Sequence, residues 1–93
     1  MPEETIKRRL FRAKRRAEKV LKDAQYNIIP SDNSTFCILA VREREVRMIR
    51  VVIDEVTDHD MKIIEGWKHP RACSKEIWCK QHGQRDFEIK EIL

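Results

Sequence analysis

The sequence predicts one α+β domain built around a central mixed sheet, and three observations carry that reading. Ile6, Leu10, Ala13, Ala17, Val20, Leu21 and Ala24 recur mainly at steps of three and four residues, which sets them on one stripe of an α-helix. Two later runs, Thr35 to Val41 and Val46 to Ile53, are apolar or β-branched and read as strands. A length of 93 residues suits a single core that buries roughly 60 to 65% of the unfolded surface, so residues 1–93 are taken as one domain.

Taken in order, the first helix is expected from about Glu3 to Ala24, with Glu3 and Glu4 at its positive end, where their charge opposes the macrodipole favourably. Tyr26 to Ile29 is a short strand ended by Pro30, and Ser31-Asp32-Asn33-Ser34 is a turn cluster. In the run from Thr35 to Val41, Phe36, Ile38 and Ala40 share one face and Cys37, Leu39 and Val41 the other, so both faces are apolar and the strand is interior. Arg42-Glu43-Arg44-Glu45 is a tight charged hairpin that returns the chain into Val46 to Ile53. Thr57, with Asp60 three residues on, has the pattern of an N-cap and its acidic partner, opening a short helix through Met61, Ile63 and Ile64 to Gly66. Trp67-Lys68-His69-Pro70 breaks it. Lys75 to Lys80 and Asp86 to Leu93 are two further strands joined through His82-Gly83-Gln84, where glycine takes a positive φ without strain. The order is α-β-β-β-α-β-β.

Charge is distributed unevenly along this chain. Between Lys7 and Lys22 stand nine of the twenty Lys and Arg residues and one acid, Glu18, a formal +8, whereas Gln25 to Leu93 holds eleven bases and twelve acids. The overall +4 therefore belongs to the first helix. A localised field of this kind attracts anions, and one acid among nine bases removes most of the i to i+4 pairing that ordinarily accounts for charged helix faces. A nucleic-acid backbone is the first expected partner. An acidic protein is the second, and a merely solvated cationic helix is the plain alternative. Phe11 lies off the apolar stripe among basic residues including Lys14 and Arg15, where it stacks on a base, anchors a partner or packs on a neighbour.

Composition excludes several classes. With 39% charged and 41% hydrophobic residues the chain is too apolar for disorder and too charged to span a membrane. Met1-Pro2-Glu3-Glu4 has no apolar signal core behind it, so a cytoplasmic location is expected. Cys37, Cys73 and Cys79 cannot all pair within one chain, which fits reduced thiols. His69, Cys73, Cys79 and His82 are zinc-type ligands, but three residues of extended chain turn Cys79 and His82 to opposite sides, so no metal or other cofactor is expected. His59-Asp60 is better explained by helix capping than as a fragment of a metal phosphohydrolase motif. Trp67 and Trp78 are expected in core or rim packing, with Trp67 also beside Lys68 and Arg71 in a loop.

The element order, together with particular residues, resembles the restriction-endonuclease-like fold of the PD-(D/E)XK nuclease superfamily, especially Holliday-junction-resolvase and VRR-Nuc-type domains. Residues 20–29, Val-Leu-Lys-Asp-Ala-Gln-Tyr-Asn-Ile-Ile, are similar to the end of its first helix and its first strand. Phe36-Cys37-Ile38-Leu39-Ala40-Val41 is similar to the strand that carries the first metal-binding aspartate, and Ile49-Arg50-Val51-Val52 to the strand that normally reads Ile-Glu-Val-Lys. Lys75-Glu76-Ile77-Trp78 followed by Phe87-Glu88-Ile89 is similar to the closing strand pair. In that superfamily two acids hold Mg²⁺ while the lysine positions or deprotonates the nucleophile. Here Cys37, Arg50 and Val52 stand at those positions: a thiol suits a hard cation poorly, a guanidinium repels it, and valine offers no polar atom.

The resemblance therefore implies a nuclease-like scaffold without nuclease chemistry, with no catalytic residue expected: a non-catalytic nucleic-acid-binding or accessory protein. The expected contacts are Arg8, Arg12, Arg15, Arg16 and Lys19 on the helix, supplemented by Arg50, Lys68 and Arg71 if the former cleft is used. Arg50 either meets phosphate there or points to solvent from an exposed sheet face. Two alternatives stay open: a divergent metal-dependent nuclease using Glu18, Asp54 or Glu55, and a protein-interaction subunit whose helix docks on an acidic partner. A domain this small would also gain from homodimerisation.

Overall fold

Five strands lie side by side in chain order, with one helix on each face of the sheet, in the computed structural model, which describes residues 3–29, 38–66 and 73–92. The elements are α1 (Glu3–Asp23), β1 (Asn27–Ile29), β2 (Ile38–Arg42), β3 (Glu45–Ile53), α2 (Asp58–Glu65), β4 (Cys73–Lys80) and β5 (Glu88–Ile92). The first three strands form an antiparallel meander. Next, β3 and β4 pair in parallel from Val46 against Cys73 to Ile53 against Lys80, and β5 returns antiparallel to β4. The single parallel step is the one that contains a helix, because parallel neighbours need a crossover long enough to carry the chain back to the same end. This is the α+β class and the element order expected from the sequence.

Local chemistry explains the element ends. At the end of α1, Tyr26 N–H donates to the Leu21 carbonyl at 2.9 Å and Gln25 N–H to that of Lys22 at 3.0 Å, with Gln25 at φ 74°. That is a Schellman ending with a left-handed residue at its turning point. The β2/β3 hairpin closes through Glu43 and Arg44, with Glu43 at φ 49°, the left-handed twist that a two-residue connection demands. Thr57 caps α2 as read from the sequence: its hydroxyl accepts from Asp60 N–H at 3.2 Å and its own N–H donates to the Asp60 carboxylate at 3.0 Å. At the other end of α2, Lys75 Nζ donates to the Glu65 carbonyl at 3.5 Å, a cation placed where the macrodipole favours it.

Alternation along the strands divides the core into two. On one face Ala13, Ala17 and Leu21 of α1 pack on Ile38, Ala40, Ile49, Val51 and Trp78; on the other Ile64 of α2 packs with Met48, Val52, Ile77, Cys79 and Ile92. Trp78 is buried, as expected, with its ring 5.4 Å from that of Phe87. Of the predicted stripe of α1, Ala13, Ala17 and Leu21 are buried, whereas Ile6, Leu10, Val20 and Ala24 are exposed. At the first turns the reason is overhang, since Arg9 already meets Asp54 just past the last residue of β3 and Ile6 and Leu10 lie at and beyond that end of the sheet; Val20 is turned off the line of Ala13, Ala17 and Leu21. Strand limits shift slightly too: β4 starts at Cys73, before Lys75, and β5 starts at Glu88, after Asp86.

Among the described residues three buried side chains are polar or charged: Lys75, Glu76 and Asp60. Glu76 accepts hydrogen bonds from Arg47 Nε at 2.8 Å, from a second nitrogen of the same guanidinium, from Ser74 Oγ at 2.7 Å and from Trp78 Nε1 at 3.0 Å. Burial pushes its carboxyl up, but these donors outweigh burial and leave it below the ordinary glutamate range. Arg47 also lies over the rings of Tyr26 and Trp78, at 5.2 and 5.3 Å, which desolvates its charge without leaving it unmatched.

Candidate nucleic-acid interface

Because Ala13, Ala17 and Leu21 fix the inward side of α1, 100° per residue sets the opposite side at Arg8, Arg12, Arg15 and Lys19. All four are exposed, and none forms an ion pair with any described residue. Arg15 lies over the Phe11 ring at 5.7 Å, and Phe11 itself is 60% exposed. The aromatic ring expected off the apolar stripe thus stands among cations at the surface.

Two arginines on one flank of the helix are engaged. Arg16 donates from Nε to the Arg85 carbonyl at 3.0 Å, tying α1 to the β4/β5 connection. Arg9 grips Asp54 with two nitrogens, at 2.6 and 3.0 Å. Hydrogen bonding from Arg9 holds the Asp54 carboxyl below its ordinary range against the opposing effect of burial, and the same bond raises the Arg9 guanidinium. Between this flank and the carboxyl ends of β3 and β4 lies a cleft of about 190 Å³, with Arg9, Arg12 and Arg16 on the helix side and Lys80 and His82 across from them. Ala13 and Ile53 contribute its apolar surface, and Gly83, at φ 81°, completes the turn at its edge.

The residues at the positions where the resemblance places a metal behave differently. Arg50 is on the other face of the sheet, beside Met48 and Val52 in the strand alternation, and donates from Nε to Asp60 Oδ1 at 2.9 Å. Its side chain is 17% exposed and that of Asp60 11%. Of the two placements expected for Arg50, an open cleft or a solvent-facing sheet, the structure shows neither: the guanidinium is half-buried against the capping acid of α2. Burial raises the Asp60 carboxyl, while the Thr57 N–H and hydroxyl and the Arg50 guanidinium more than reverse this, so it sits below the ordinary aspartate range. Val52 is buried in the α2-side core. Cys37, Lys68 and Arg71 lie outside the described residues, as do Trp67 and His69.

The structure brings Arg8, Arg12, Arg15, Arg16 and Lys19 onto one exposed side and flank of α1, but it does not bring Arg50 to them. Nor does it assemble Glu18, Asp54 and Glu55. Glu18 is on the flank of α1 opposite Arg9, which holds Asp54, and Glu55 is exposed just past β3. Among the described residues no three His, Cys, Asp or Glu side chains are grouped so as to hold a metal ion. Sequence reading missed Arg9, Lys80 and His82 as companions of the basic helix. Lys80 and His82 are over sixty residues from Arg16 in the chain, and only the strand register places them there. No family model, curated protein or solved structure matches this chain.

Proposed function

We propose that this chain is a non-catalytic nucleic-acid-binding or accessory protein on a nuclease-like scaffold, contacting phosphates through α1. One contrast carries the reading. Arg42, Arg47 and Arg50 on the sheet each have a carboxylate partner, in Glu45, Glu76 and Asp60, whereas Arg8, Arg12, Arg15 and Lys19 on α1 have none among the described residues. A protein that matches these three sheet arginines, yet leaves a row of cations along one helix, is suited to a polyanion. The α-β-β-β-α-β-β order, with the sheet in chain order, supports the nuclease-like half of the proposal. The Arg50–Asp60 pair and the buried Val52 support its non-catalytic half, since a cation and a methyl-bearing side chain occupy places a Mg²⁺ site would give to oxygen and amine.

A second reading has its own observation. Ile6, Leu10 and Phe11 are exposed on the part of α1 that overruns the sheet, which suits docking on an acidic protein or a second copy. A cytoplasmic location belongs to the same proposal; no helix among the described residues is long and apolar enough to cross a membrane.

The test is fluorescence anisotropy of labelled duplex and single-stranded DNA and RNA at low salt, with cleavage of the same substrates in Mg²⁺ or Mn²⁺ followed alongside. Binding without cleavage is the expected result. Absence of binding would favour the protein-interaction reading, and cleavage lost on replacing Glu18, Asp54 or Glu55 would establish a divergent nuclease.

A further inference from the structure

We infer that the cleft between α1 and the carboxyl ends of β3 and β4 seats a phosphate of an unpaired nucleic-acid strand, so that the protein prefers duplex with a single-stranded tail to blunt duplex. This rests on the nucleic-acid reading above and adds to it a site and a substrate form. Three features of the cleft point the same way. Arg12, Arg16 and Lys80 bring three positive charges to it and no acid is among its lining residues; of the acids beside it, Asp54 is matched by Arg9 and Glu88 accepts from the lining Gln81. The Arg9–Asp54 and Arg16–Arg85 bonds hold the helix against the strand ends, so the wall is fixed before a ligand arrives. The site also lies outside the carboxyl ends of the sheet's one parallel pair, where open α/β sheets form their ligand crevices.

Size selects the ligand. About 190 Å³ has room for a single sugar-phosphate unit, whereas in a duplex that unit is held rigidly to a stacked and paired partner strand, which stays outside on the exposed side of α1. Ala13 and Ile53 give the sugar an apolar surface, and at Gly83 nothing stands within 4 Å of where a side chain would begin, so a strand can approach the turn's backbone closely. Arg12 lies on both surfaces, at the junction between the duplex track and the cleft.

The test compares blunt duplex with the same duplex carrying a single-stranded tail, by anisotropy, for wild type and for Lys80→Gln and His82→Ala, two replacements off α1. Wild type is expected to bind the tailed form more tightly. Lys80→Gln is expected to lose about tenfold on the tailed form, as for one charge-assisted contact, with blunt duplex unchanged, and His82→Ala to lose less. Amide chemical shifts of wild type with a single-stranded oligonucleotide are expected to move most at Gln81 to Gly83, a readout independent of any variant's folding. Equal binding of both forms by wild type, an unchanged preference in Lys80→Gln, or shifts confined to the far side of α1 would each overturn the cleft while leaving helix binding intact. Failure of both DNA forms to bind would instead remove the underlying reading, and the cleft with it.

Discussion

Replacing Arg50 with alanine separates a structural ion pair from a ligand contact. The substitution strands the Asp60 carboxylate at the start of α2, where it is 11% exposed and keeps its bonds to the Thr57 N–H and hydroxyl. Breaking a fully buried pair costs about 3–5 kcal/mol; the surviving capping bonds and partial solvent access reduce this to about 2–3 kcal/mol here. In a domain of this size that lowers Tm by about 10–20 °C at pH 7. The pH dependence has a definite sign. Asp60 is held below its ordinary range in the folded protein, so its contribution is complete above the unfolded pKa, about 3.9, and is lost as pH falls through the lower folded value. Melting curves of wild type and Arg50→Ala, followed by circular dichroism, should therefore differ most near neutrality and converge in acid. Nucleic-acid affinity measured well below the variant's Tm should not change, because Arg50 is on the face away from α1. A variant of unchanged stability that lost affinity would refute this reasoning and make Arg50 a phosphate contact.

Further outcomes follow from the same structure. Glu76→Ala leaves Arg47, Ser74 and the Trp78 N–H without their acceptor, a loss of about 3–5 kcal/mol in urea unfolding, while the double variant Arg47→Met/Glu76→Leu should recover much of it. Gly83→Ala meets no atom within 4 Å but forces alanine to φ 81°, so it should cost about 1 kcal/mol, and thermal melting would read it as a few degrees. Burial, followed by nearby carboxylates, raises the Cys79 thiol, so under native conditions a thiol reagent should modify half-buried Cys73 before Cys79, which peptide mass mapping would resolve.

What the sequence made legible was whatever local chemistry controls. The Thr57/Asp60 capping box, the turn at Gly83 and the apolar runs of β2 and β3 each depend on residues a few positions apart, and each is where the pattern put it. Burial on α1 was legible as a direction but not as an extent, because Ile6 and Leu10 point the same way as Ala17 and are exposed only because the sheet ends first. Charges on strands were the least legible. The chain leaves Arg50 open between a phosphate-meeting and a solvent-facing place and says nothing of a buried role for Glu76, because their partners Asp60 and Arg47 are supplied by a helix cap and by a strand twenty-nine residues away. For the same reason the basic helix could be read from composition alone, whereas the cleft beside it required knowing which strand ends face Arg12 and Arg16.

The most direct measurement is the salt dependence of duplex binding for wild type and for Arg8→Gln/Arg15→Gln/Lys19→Gln, three exposed positions opposite the buried side of α1. Each phosphate contact contributes about 0.9 to the slope of log K against log salt, so the triple variant should bind more weakly with a slope about 2.7 shallower, at unchanged Tm. A variant that kept the wild-type affinity and slope would contradict the assignment of nucleic-acid binding to this helix.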